Sequence, residues 1–254
     1  MAKINLRRLI ARNGRLISAY EKKYAKQITI ALRKQLKGYL KDGKLTDDLY
    51  PVLEEMYMAV GERFYVQQTK LLNDMIEKSV FIDVFLEWWK ESYVRKILAK
   101  KITEIDANTL QRIQNVLDVL IPQSLPFSEM VSQLSKEFAF SPQRALMISR
   151  TEVGNAMNEA KFKAKDDIIE ELDEEIWKIW IHRGSKNPRD WHLYLDNGKA
   201  IHEDDVWRVE VPSTGFTEPM SRPHDPTASA ENVINCGCEV IYVSYSYAKN
   251  NGMI

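Results

Sequence analysis

At 254 residues, 44% hydrophobic and 28% charged, the chain is long enough for one large domain or two small ones around a real core. Its 36 basic and 36 acidic residues cancel. No run of about eighteen apolar residues is present, so no membrane span is expected, and the N-terminus lacks the apolar core and small-residue cleavage site of a secretory signal.

The balanced charge hides an asymmetry. Residues 1–41 carry twelve basic side chains against the single acid Glu21, a net +11. Arg7, Arg8, Arg12, Arg15, Lys22, Lys23 and Lys26 are the candidates for contact with nucleic acid or an acidic protein surface; a solvated basic face is the plain alternative. In the same segment Leu6, Leu9, Ile10, Leu16, Ile17, Tyr20, Tyr24, Ile28, Leu32, Leu36 and Leu40 recur at steps of three and four, which predicts an amphipathic helix. Gly14, Gly38 and Gly43 are expected to weaken or punctuate it.

Thr46-Asp47-Asp48 reads as a cap for a second helix from about Leu49 to the Glu77 region, with Pro51 in its first turn. Phe81 to Lys101, with the pair Trp88-Trp89, predicts a further helix or helix pair, the tryptophans packing in the core or anchoring an interface. Helical spacing continues from Asn108 to Leu120, and Pro122 and Pro126 break it. A short helix from Ser128 to Phe138 is expected. Ser141-Pro142 then caps a longer one from about Gln143 to Ile169.

Beyond residue 145 the texture changes. Asp166 to Glu175 holds seven acids and no base, a solvated face or a link between two parts. Ile176 to His182 alternates as a strand does. Asp196-Asn197-Gly198 signals a tight turn. Pro212, Gly215, Pro219, Pro223 and Pro226 mark a long irregular stretch, and Cys238 to Tyr247 reads as a closing strand. The expected fold class is α+β, with a helical region over 1–144 and a small domain over 145–254 containing a short antiparallel sheet.

Three groups of residues carry possible chemistry. Arg150 and Glu152, two apart on a helix, cannot pair with each other. They either clamp the helix onto the β-rich region or are solvated charges, and the helix alone favours the second. Asp190 and His192 could act as acid and base or as metal ligands. Cys236 and Cys238, the only cysteines, could join two of the four histidines (His182, His192, His202, His224) around zinc. The usual zinc spacing places two or more residues between cysteines, which favours buried thiols filling small core positions and no cofactor. Two cysteines at i, i+2 also make a poor disulfide framework, and they read as reduced thiols. No serine or cysteine nucleophile elbow and no catalytic carboxylate pair stands out.

In order, Ile148-Ser-Arg150-Thr151-Glu152, Trp177 and Trp180, Arg189-Asp190-Trp-His192, Leu195-Asp-Asn-Gly198, Arg222-Pro-His-Asp-Pro226 and Val233-Ile-Asn235-Cys236-Gly-Cys238 resemble the C-terminal domain of phage head morphogenesis proteins, the Mu F-like minor head family. The resemblance covers about residues 145–245 and leaves the helical N-terminal part without a counterpart. Gly237 stands where the family often has Arg. Ser185-Lys-Asn-Pro188 stands where some members carry a further C-x-x-C, which removes half of a possible metal site.

The resemblance implies a minor capsid protein acting in head morphogenesis. It would be assembled in the host cytoplasm, carried in the virion, and partnered by the portal protein or major capsid protein and by packaged DNA. Arg150, Thr151, Glu152, Trp180, Asp190, His192, Gly198, Asn235, Cys236 and Cys238 would then be structural motif residues. The rival expectation is a metal-dependent nuclease or other hydrolase using Asp190, His192 and Cys236/Cys238.

Overall fold

The computed structural model describes residues 4–77, 85–123, 125–184 and 188–254, apart from the side chains of Phe127 and Phe138. Phe81 and residues 185–187 lie outside that set. The chain is α+β, with long helices followed by a small antiparallel sheet. Among the described residues no helix is long and apolar enough to cross a membrane.

Helix α1 (Leu6–Asp42) starts where the Asn5 side chain accepts the Arg8 N–H at 2.9 Å. It ends at Gly43, whose φ of 67° suits a left-handed cap and whose N–H reaches the Tyr39 carbonyl. Gly14 and Gly38 sit inside it without interrupting it, because tertiary burial of Ile17, Tyr24, Ile28 and Leu32 outweighs a propensity cost of about 1 kcal/mol each.

Helix α2 (Leu49–Ile76) has Pro51 in its first turn as expected, but the Asp48 side chain makes no capping bond. Its carboxylate instead accepts from the Thr46 hydroxyl. Helix α3 (Phe85–Trp88), a π-helical turn (Trp89–Val94) and α4 (Arg95–Leu120) follow one another without a gap. There Trp89 is fully buried against Gly61, and its indole N–H donates to the Tyr57 carbonyl at 3.0 Å. Trp88 and Trp89 therefore pack inward with Phe85 and Tyr93.

After α5 (Phe127–Lys136), Ser141 caps α6 (Pro142–Leu172) by accepting the Arg144 N–H at 3.1 Å. Helix α6 is buried on nearly every side over its first two-thirds. Its residues from Ala145 to Ala164 join α1 and α2 in one core, and Ile168 joins the core under the sheet. Residue 145, the expected boundary between two parts, is the fourth residue of this shared helix.

The sheet runs β2 (Ala200–His202), β1 (Ile176–His182), β5 (Cys238–Ser244), all antiparallel, with Trp180 opposite Val240 and Ile179 opposite both Ala200 and Ile241. Strand alternation sends Ile176, Trp180, Val240 and Tyr242 to one side and Ile179, Ile181, Ile241 and Val243 to the other. The first side meets α2, α6 and a hairpin; the second meets the start of α1 and α9 (Tyr245–Asn250).

Two expectations are corrected. The proline-marked stretch is not simply irregular: β3 (Trp207–Val211) and β4 (Phe216–Met220) pair through it as a hairpin. Pro219 is tolerated there because β4 has β3 as its single neighbour, so one side of the strand needs no donor. The closing strand stops at Ser244, whose hydroxyl accepts the Tyr247 N–H and starts α9.

Candidate metal centre and basic helix face

The one-turn helix α7 (Asp190–Leu193) follows β1 and turns His192 inward, while Asp190 stays exposed at its first residue. Helix α8 (Ala230–Val233) ends in a turn where Asn235 adopts a φ of 58°, and the chain then enters β5 at Cys238. These two short elements bring His192, Cys236 and Cys238 together, each about 1% exposed. Their ligand atoms all lie within 4.8 Å of one another, the only such His/Cys/Asp/Glu group among the described residues. The His192 Nδ1 stands 3.5 Å from the Cys236 sulfur and 3.6 Å from the Cys238 sulfur. Asp190 is not part of the group, so the pairing of Asp190 with His192 as acid and base is not formed.

A polar network behind His192 sets its ring. Asn232 donates its amide to the Glu210 carbonyl at 3.0 Å and to a Glu218 carboxylate oxygen at 2.7 Å. Its Oδ1 therefore faces the other way, where it accepts the Trp191 indole N–H at 2.7 Å and contacts His192 Nε2 at 2.9 Å. An indole nitrogen only donates, so this atom must be the oxygen. His192 Nε2 must then carry a proton, which leaves the Nδ1 lone pair of a neutral ring pointing at the two sulfurs. Burial pushes the Glu218 carboxyl up, but hydrogen bonds from Asn232 and Ser229 more than offset it and hold the group below its ordinary value.

The Cys238 thiol beside it holds the Cys236 thiol well below the usual range, and Cys238 is pushed well above it by the Cys236 sulfur and by burial. The Cys238 N–H also donates to the Cys236 sulfur at 3.4 Å.

The Arg150-Thr151-Glu152 turn of α6 faces this region, and the expectation of solvated charges is overturned. Arg150 donates to the Asn235 side chain at 2.8 Å, and the Thr151 hydroxyl accepts the Asn235 N–H at 2.8 Å. Glu152 is buried and accepts from the Tyr57 hydroxyl at 2.6 Å and the Asn155 amide at 2.8 Å. The acidic run following it is only partly solvated, because Asp167 is buried and accepts from the Tyr65 hydroxyl at 2.7 Å. Trp180 packs edge-on to His192 with 5.3 Å between centroids. Gly198, φ 74°, serves the turn into β2 and stands outside the cluster.

Sequence reasoning missed Asn232 and Glu218; His224, one of the four candidate histidines for a zinc site, lies outside the cluster. His224 is buried, with its ring 2.3 Å from where a Gly154 Cβ would sit and its Nε2 3.2 Å from the Cys236 carbonyl. An asparagine or glutamate that orients another side chain leaves no spacing signal. His224 was visible as a histidine and as part of the Arg222–Pro226 stretch, but its packing against Gly154 was not.

A second feature lies on α1. At about 100° per residue, Arg8, Arg12, Arg15, Lys22, Lys23, Lys26, Arg33, Lys34, Lys37 and Lys41 fall within roughly a third of the circumference. All are exposed and lie opposite buried Ile17, Tyr24, Ile28 and Gln35. Arg7, though exposed, stands outside that arc. Lys23 pairs with Glu55, and Lys34 and Lys41 approach Asp48 and Asp42. Among the described residues the other seven of the stripe have no carboxylate within 4.0 Å. Glu21, the one acid of the segment, points inward to Arg150 at 3.5 Å and Arg183 at 3.7 Å. It therefore neutralises none of the outer face.

Comparison of the chain with protein-family models, with curated proteins and with solved structures finds no match.

Proposed function

We propose that the chain is a phage minor head protein acting in head morphogenesis. It is assembled in the host cytoplasm and carried in the virion, docks on the portal or the inner capsid, and presents the outer face of α1 to packaged DNA. The observation that carries this reading is the basic stripe: ten cations on one side of a 37-residue helix, seven of them without an acidic partner among the described residues. A helix of that length reaches about 55 Å, enough to follow a polyanion over several phosphates. Further support comes from the motif residues of the resemblance. Arg150, Thr151, Asn235, Cys236, Cys238 and His192, scattered over about ninety positions, pack around one turn, as elements of a structural module do.

The test uses the full chain and fluorescently labelled duplex DNA across a salt series. Contacts to about four phosphates would weaken binding about 100-fold between 50 and 200 mM salt. Replacing Arg12, Arg15, Lys22 and Lys26 by Glu should abolish binding while the exposed positions leave thermal stability unchanged. Absence of binding at low salt, or binding indifferent to the charge reversal, would remove DNA from the proposal. Pull-down of portal protein in the same salt series then tests docking on its own.

A further inference from the structure

We infer that His192, Cys236 and Cys238 form a binding site for a single thiophilic divalent cation of the zinc class, with Asn232 as the residue that positions the histidine. Four observations converge on it, none drawn from the basic helix or from the role in head assembly.

The first is distance. With zinc–sulfur and zinc–nitrogen bonds of about 2.3 and 2.05 Å, the nitrogen-to-sulfur edge of a regular tetrahedron is about 3.55 Å. The Nδ1 to Sγ distances are 3.5 and 3.6 Å. The second is lone-pair direction. The Asn232 network puts the histidine proton on Nε2 and aims the free Nδ1 pair at both sulfurs. Two sulfurs at 3.5 and 3.6 Å from one nitrogen fit a shared cation better than a single hydrogen bond, which would draw one sulfur closer than the other.

The third is the outer support. A metal-ligating histidine characteristically donates its other N–H to a carbonyl or carboxylate. Here Asn232 Oδ1 takes that role and is fixed in turn by Glu218 and the Glu210 carbonyl. The fourth is an under-satisfied donor. The buried Trp180 indole N–H makes no hydrogen bond of ordinary geometry, and it stands close enough to the Cys238 sulfur to favour its anionic form. A metal-held thiolate would be a full acceptor for it.

Charge agrees with burial. Two thiolates and a neutral imidazole around a divalent cation sum to zero, the balance a closed site requires. Binding releases the remaining thiol protons to solvent. Sulfur donors exclude magnesium and calcium, which take oxygen. The three side chains leave one tetrahedral position for a water molecule. The cation would fasten α7 to the Asn235–Cys238 turn, and through Asn235 to Arg150 and Thr151 of α6.

The experiment uses the full reduced chain, purified without metal-affinity resin. Cobalt(II) titration should give tetrahedral visible bands and a thiolate-to-cobalt charge-transfer band that saturate at one equivalent and are displaced by zinc. Cys236→Ser, Cys238→Ser and His192→Ala should each remove or shift this spectrum. Asn232→Ala should keep the charge-transfer band but weaken binding about 10- to 100-fold, whereas a residue that served only the fold would leave affinity per folded molecule unchanged. A reduced, folded wild-type chain with no charge-transfer band and no retained zinc after gel filtration overturns the site. So does wild-type affinity in folded Cys236→Ser or His192→Ala. If the variants fail to fold, the wild-type titration decides alone.

Discussion

Gly154 leaves no space for a methyl group: an added Cβ would lie 2.3 Å from Nε2 of His224, itself held between Asn155 and the Cys236 carbonyl. Gly154→Ala is therefore expected to destabilise the fold by about 1–3 kcal/mol, read as a lower urea midpoint with unchanged slope. Gly14, also inside a helix, has nothing within 4 Å of its would-be Cβ. Gly14→Ala should stabilise by about 0.5–1 kcal/mol through helix propensity. In the sequence the two glycines look alike, since each simply interrupts a helical pattern. What separates them is a partner 70 residues away, and periodicity carries no information about that. Glu21 was better marked. It lies at i+4 from Ile17 and three before Tyr24, on the buried stripe, a spacing that marks its inward turn but not its partners Arg150 and Arg183.

Among the elements, the β3–β4 hairpin depends on a lysine that belongs to β1. Lys178 is buried, and its ammonium donates to the carbonyls of Glu203 at 2.7 Å, Asp205 and Ser221 at 3.0 Å, tying both ends of the hairpin to the central strand. Three acceptors match the three donors of a charged lysine. Lys178→Met would leave them unpaired and is expected to cost about 3 kcal/mol or more. Burial pushes the Lys178 pKa down to about 8 from 10.5. Because the folded value is the lower one, the unfolded chain binds more protons between about pH 8 and 10.5, and the fold gains stability as pH rises through that window. Urea unfolding at pH 7 and pH 9.5 should show wild type gaining relative to Lys178→Met; a constant difference would show that the ammonium is not strained by burial. The long helices and β1 were legible because burial on one face imposes a period. The hairpin was not, because its prolines and glycine read as breakers and its short strands carry polar residues at alternate positions. Spacing within an alternating strand does not show that Lys178 is buried.

At the scale of the molecule, α6 decides how many units there are. Its residues from Ala145 to Ala164 complete the core of α1 and α2, and Ile168 packs under the sheet. Lys161 on the same helix reaches Glu239 of β5, a fully buried pair that also takes the Asn13 amide of α1 at 3.1 Å. Burial lowers the Lys161 pKa, and Glu239 offsets that only in part. Removing either partner leaves a buried group uncompensated, worth about 3–5 kcal/mol. Residues 145–254 alone would lack the α1 and α2 surfaces that cover Val153, Met157 and Ala160, and would lose Asn13 from the buried pair. The full chain is therefore expected to unfold in one transition, with tryptophan fluorescence and far-ultraviolet circular dichroism coincident. The fragment 145–254 should show no cooperative transition. Two separated transitions in the full chain, or a folded fragment, would make the C-terminal part an independent domain. The change in sequence texture at residue 145 reflects the composition of what each stretch packs against, whereas cooperativity follows the shared core, and a helix belonging to both sides carries no boundary signal of its own.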